Sequence, residues 1–125
     1  MRSELNEILT KNGAQALFLY SESFQDVNMY YLTKFLGPDP FILLKKVDQD
    51  PILIIDQMEY PRARKESIVK DVRSFEDYNF LEIVKSAPDA NIGMMKFIAT
   101  VANKELGSGT KTYVPINMSP LSNLT

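Results

Sequence analysis

Five consecutive apolar residues, Ala16-Leu-Phe-Leu-Tyr20, constrain this chain more than any other feature. A strand with one face in water alternates apolar and polar side chains, so an unbroken apolar run of strand length suits a strand covered on both faces. The segment before it reads as a helix. Ser3 suits the N-cap, Glu4 the first turn, and Leu5, Ile8 and Leu9 share one face. Asn12-Gly13 ends that helix, because Gly13 readily takes the left-handed conformation of a C-terminal cap. A helix followed so closely by a doubly covered strand points to α/β layering.

The rest of the chain fits that layering. Ser21–Asn28 is polar, and Met29–Leu32 with Phe35 suits a short helix running into a strand. Leu36-Gly37-Pro38-Asp39-Pro40 is a loop, since two prolines and a glycine in five residues suit neither regular state. Phe41–Lys46 and Ile52–Asp56 read as strands joined across a short polar gap, hence an antiparallel hairpin, with Pro51 at a strand start. Asp56-Gln-Met-Glu59 has the spacing of a capping box, and a helix is expected over 57–67. Pro61 leaves its start open: it breaks a bond if the helix begins at Gln57 and is comfortable if it begins after Tyr60. Residues 69–75 suit a strand, and Asp77 a cap for a helix through Ala87 with Phe80, Leu81 and Val84 inward. Ala90–Met95 fits either a strand or the start of a helix carrying Met94, Phe97, Ile98, Val101 and Ala102 on one face. Gly107-Ser108-Gly109 ends it, and Thr112–Ile116 reads as a last strand at an edge, because of Pro115. One domain, 1–125, accounts for the whole pattern; no repeat or low-complexity tract interrupts it.

Composition limits the chemistry. The 125 residues include no His and no Cys. Ser-His and Cys-His nucleophile pairs, imidazole metal ligands, zinc fingers and thiol catalysis are therefore excluded for this chain alone. A formal net charge of −2 gives no basic field for nucleic acid or an anionic membrane. No apolar run approaches the roughly 20 residues of a membrane span, and no secretory signal stands at Met1–Glu7, so a cytoplasmic location is expected.

Local motifs add little chemistry. Asp48-x-Asp50 pairs two carboxylates without a third ligand, as hairpin turns commonly do. Ser67-x-x-Lys70 lacks the companion motifs of an acylating serine, and Gly107-x-Gly109 follows a helix where phosphate loops precede one. Arg62, Arg64, Lys65 and Lys70 alternate with Glu59 and Glu66 in the pattern of a solvated helix face. Tyr20, Tyr30, Tyr31, Phe35 and Phe41 are read as core aromatics. Asn117 and Asn123 match glycosylation acceptors that carry no weight without a secretory signal. From the residues alone the chain is an α/β domain without a catalytic centre, a description that also suits a free-standing interaction or small-ligand-binding module.

Three segments, in order, resemble one known module. Asp26-Val-Asn-Met-Tyr-Tyr-Leu-Thr-Lys-Phe35 is similar to the "N-x-x-Y-L-T-G-F" segment of the creatinase/prolidase N-terminal domain. Ile52-Leu-Ile-Ile-Asp-Gln-Met-Glu-Tyr-Pro-Arg-Ala-Arg-Lys-Glu66 resembles that family's strand followed by "E-x-x-x-A-x-x-E". Asn91-Ile-Gly-Met-Met95 resembles its "x-I-G-x-E" strand, which favours the strand for that segment. The chain departs from the pattern at Lys34, where the family usually has Gly, at Met95, where an acid is frequent, and at Pro61.

The resemblance implies a ribonuclease-H-like α/β fold, a mixed sheet of five to six strands with helices on both faces. It implies the non-catalytic N-terminal domain of an Xaa-Pro dipeptidase, with aminopeptidase P as a close relative. In such enzymes two divalent ions, Mn or Co, and the substrate-binding histidines sit in a C-terminal domain absent from this chain. This chain would then hold no cofactor and no catalytic residue, and would serve homodimerisation and enclosure of the active site around short Xaa-Pro peptides. The loop after "Y-L-T-G-F" approaches the partner subunit's active site in several relatives, so Phe35, Leu36 and Asp39 are expected at that interface.

Overall fold

The computed structural model describes residues 2–107 and 109–114. The opening helix, α1 (Arg2–Lys11), buries Leu5, Ile8 and Leu9, the face that their spacing dictates. The chain turns at Gly13, whose φ is +68°, and enters β1 (Ala16–Ser21). Leu17 and Leu19 point into one apolar cluster and Phe18 into the other, so both faces of β1 are covered.

The remaining elements are α2 (Val27–Thr33), β2 (Phe41–Lys46), β3 (Ile52–Ile55), α3 (Tyr60–Glu66), β4 (Asp71–Ser74), a 3-10 turn at Phe75–Tyr78, α4 (Phe80–Lys85), α5 (Ala90–Leu106) and β5 (Thr112–Tyr113). They build a five-stranded sheet in the order β4-β3-β2-β1-β5. β2 runs antiparallel to both β1 and β3, with Leu19 opposite Leu43 and Leu43 opposite Leu53. β1 pairs with β5, and β3 with β4, in parallel. α1, α2 and α3 cover one face through Leu9, Met29, Leu32 and Ala63. α4, α5 and the 3-10 turn cover the other through Phe75, Tyr78, Phe80, Phe97 and Val101. The mixed α/β sheet with helices on both faces is the expected architecture. β5 lies at an edge, as expected; Pro115 and Ile116, expected to continue it, and Asn117 and Asn123 lie outside the described residues.

Several local expectations are corrected. α2 does not run directly into a strand, and residues 34–40 are loop: Lys34 turns the chain left-handed at φ +52°, and its N–H closes on the Tyr30 carbonyl at 2.7 Å. α3 begins after Glu59, which puts Pro61 in its first turn, where a missing N–H costs no helical bond. Asp77 caps no helix of its own. It completes a capping box with Ser74 across the 3-10 turn, and Asn79 turns the chain into α4. Leu81 faces outward rather than inward, and Ile83 takes its place beside Phe80.

The largest correction concerns Asn91–Met95, which is helix rather than strand. Asp89 caps it by accepting from the Ile92 N–H at 2.9 Å, and the period of Met94, Phe97, Ile98 and Val101 carries the helix through. The position beside β1 is occupied instead by Thr112–Tyr113.

Candidate functional site

The segment from Ser21 to Pro40 folds into a tied loop pair around α2. Asp26 begins the helix, its Oδ1 accepting from the Asn28 and Met29 N–H groups at 2.9 and 3.1 Å. Its Oδ2 accepts from the Ser21 hydroxyl at 2.6 Å, which joins the helix start to the end of β1. At the other end, Thr33 donates its hydroxyl to the Met29 carbonyl and accepts from the Phe35 N–H at 3.2 Å.

Residues 35–37 are then held from three sides. The Ser23 hydroxyl donates to the Phe35 carbonyl and accepts from the Gly37 N–H at 2.7 Å, while the Ser23 N–H donates to the Gly37 carbonyl at 3.0 Å. The Phe35 ring is fully buried and meets Phe41 edge-on, centroids 5.7 Å apart. Gly37 packs so closely that a β-carbon there would lie 2.8 Å from a Phe41 ring carbon. From α3, the Arg62 guanidinium lies 4.4 Å from the Phe35 centroid and donates to the Leu36 carbonyl at 2.8 Å. Glu59 and Glu66 hold that guanidinium at 2.7 and 3.0 Å. The bond from Arg62 keeps the Glu59 carboxyl below its ordinary value.

The sequence-derived site residues separate in this arrangement. Phe35 lies inside the chain, whereas Leu36, half exposed, and Asp39 stand on the surface of the loop. Phe24, Val27 and Tyr30, earlier in the same Ser21–Pro40 segment, are also exposed. Tyr30 is therefore a surface residue rather than a core aromatic, while Phe41 is core as expected. Sequence reasoning missed Ser23, and it read Arg62 as one of several solvated cations. Arg64, Lys65 and Lys70 are exposed, but Arg62 is half-buried against the loop. No local signal marks Ser23 or Arg62, whose loop partners lie 12 and 26 residues away.

Other candidates resolve into structural roles. Asp48 sits in the β2–β3 turn at φ +64°, with its Oδ1 3.3 Å from the Asn6 amide nitrogen. Ser67 donates its hydroxyl to the Thr33 carbonyl and accepts from the Val69 N–H. Among the described residues no cluster of three or more His, Cys, Asp or Glu could hold a metal ion, so the two divalent ions implied by the resemblance have no ligand set in the described part of this chain. A concavity of about 740 Å³ lies between β1 and α5, lined by Phe18, Tyr20, Met95, Ile98, Ala102 and Val114, with Ser21 and Asp26 also in its wall. Burial pushes the Tyr20 phenol above its ordinary value, and Ser21 and Asp26 are engaged with each other at the start of α2. Among the described residues no helix is long and apolar enough to cross a membrane.

Comparison with known proteins gives a consistent outcome. The family model described as Creatinase/Prolidase N-terminal domain matches residues 1–113. Among solved structures, a proline dipeptidase from Streptococcus agalactiae aligns at 19% identity and TM-score 0.57, over 91% of this chain and 91% of that one. The N-terminal domain of the cytoplasmic peptidase PepQ from Mycobacterium tuberculosis aligns at 14% identity and TM-score 0.57, over 99% and 97%. The prolidase from Pyrococcus horikoshii aligns at 17% identity and TM-score 0.57, over 90% of this chain but 31% of that one. At these identities the likeness is one of fold. No curated protein matches in sequence.

Proposed function

Because the chain belongs to the creatinase/prolidase N-terminal domain family, matched over residues 1–113, we propose that it is the non-catalytic N-terminal domain of a cytoplasmic Xaa-Pro dipeptidase. That match is the observation that carries the reading. The sequence supports it, since a chain with no His or Cys lacks the imidazole and thiol groups that hydrolytic sites most often use. In this reading the two divalent ions, Mn or Co, belong to a catalytic domain, and this domain contributes homodimer contacts and part of the active-site wall.

The 36–40 loop is the element proposed to do so. Its backbone is tied at Phe35, Leu36 and Gly37, and Pro38 and Pro40 restrict what remains, so Leu36 and Asp39 stand on a preorganised support. The test is dipeptide hydrolysis by the metallopeptidase carrying this domain, wild type against Asp39→Ala. Lower kcat/KM with unchanged melting supports placement of the loop at a partner's active site. Unchanged kinetics together with an unchanged oligomeric state remove that role.

A further inference from the structure

We propose that Arg62 is a positioning residue for the 35–40 loop, acting from α3 across 26 residues of sequence. The inference rests on the reading that this loop faces a partner's active site, and adds what fixes its conformation. Three features of the Arg62 geometry carry it.

First, the guanidinium is held in fixed directions by two carboxylates. Nε and Nη2 contact the two Glu59 oxygens at 3.2 and 2.7 Å, and Nη1 contacts Glu66 at 3.0 Å. Exposed ion pairs of this kind contribute little stability, but two carboxylates at i−3 and i+4 fix the plane of the fork. Second, the fixed fork directs its remaining capacity at another part of the chain. Nη2 also donates to the Leu36 carbonyl, and the guanidinium lies over the Phe35 ring. Third, the acceptor is backbone. Ser23 already engages the Phe35 carbonyl and both polar backbone groups of Gly37, so Arg62 adds the Leu36 carbonyl and completes the anchoring of this short stretch. The same contact sets the direction in which Leu36 leaves the surface. A lysine cannot replace this arrangement, because one ammonium has neither the planar face nor the divergent donors of the fork.

The experiment is amide hydrogen exchange on the 125-residue chain, comparing Arg62→Met and Arg62→Lys with wild type. The reporters are the Ser23 and Gly37 amides, bonded across the loop, with Leu43 in the centre of the sheet as internal reference. Both variants are expected to lower protection of the loop amides by about tenfold relative to Leu43, the scale of one lost charge-assisted bond. A purely stabilising role for Arg62 would lower loop and core protection together, and that result overturns the proposal. Full protection in Arg62→Lys overturns the need for the fork. If Arg62→Met weakens α3, Glu66→Gln provides a second variant that loosens the fork while leaving the Arg62 stem in place; loop protection should fall selectively there too, and an unchanged loop counts against the proposal. In the metallopeptidase carrying this domain, Arg62→Met is expected to raise KM with kcat nearly unchanged, as for loss of a contact equal in ground and transition states. Loosened loop amides with unchanged kinetics would overturn the interface reading while leaving the positioning role of Arg62 intact.

Discussion

Lys34 shows how a single residue can depart from a family pattern without changing the fold. It occupies the position where the family usually has glycine, and it adopts the left-handed conformation that glycine takes without penalty. A side chain there costs roughly 1 kcal/mol or more. Part is offset by the ammonium, which stands 5.5 Å from the centroids of both Tyr30 and Tyr31. Lys34→Gly is therefore expected to stabilise the chain by about 0.5 kcal/mol, seen as a higher urea midpoint. A lower midpoint would mean that the two tyrosine contacts outweigh the backbone term. Gly37 presents the opposite case. Its backbone needs no unusual angle, but a β-carbon would collide with the buried Phe41 ring. Gly37→Ala should cost about 1–3 kcal/mol by forcing the Phe35–Phe41 pair apart, measurable as a fall in thermal midpoint with near-ultraviolet changes. The exposed residues Leu36 and Asp39 could be named from sequence as part of a loop, but Ser23 and Arg62 could not. Their partners lie 12 and 26 residues away, beyond the reach of any local pattern.

Elements with strong local signals were legible. β2 and β3 form the antiparallel hairpin that two apolar runs around a polar turn require. Local pattern allows two starts for α3, and the structure takes the one that places Pro61 in the first turn. Residues 91–95 misled, because a short apolar run around a glycine fits strand and helix equally. The Asp89 cap and the packing of Phe97 against Phe75 and Phe80 select the helix. The other end of α5 is tied to β4 and the 3-10 turn. Arg73 donates to Asp71, to the Tyr78 hydroxyl and to Glu105, and Tyr78 donates to Glu105 at 2.7 Å. Burial, reinforced by Glu105 and opposed by Arg73, leaves the Tyr78 phenol pushed up to about 12. Its folded value lies above the unfolded value of about 10, so the proton stabilises the fold. That contribution is complete below about pH 10 and is lost as pH rises towards 12, at most about 2–3 kcal/mol. Urea unfolding at stepped pH in this interval should show the loss, and Tyr78→Phe should flatten most of it. Tyr20, also raised by burial, accounts for a residual slope of the same sign.

At the scale of the molecule, the sheet separates two apolar clusters and leaves the chain's distinctive loop at the surface. The proposed division between scaffold and catalyst makes a direct prediction. Supplied with Mn²⁺ or Co²⁺ and an Xaa-Pro dipeptide, the 125-residue chain alone should release no free proline. Measurable turnover would place catalysis in this chain and overturn the proposed function. The layering was already written in the sequence, because the apolar run at Ala16–Tyr20 can be satisfied only by cover on both faces. So was the poverty of its chemistry, since a missing residue type is missing in every conformation. Which strand lies beside β1, whether Ala90–Met95 is strand or the start of the helix, and which cation leaves the solvated face of α3 to anchor the loop were decided by tertiary structure. These outcomes depend on contacts between distant segments, and periodicity, capping and turn chemistry record only what neighbouring residues prefer.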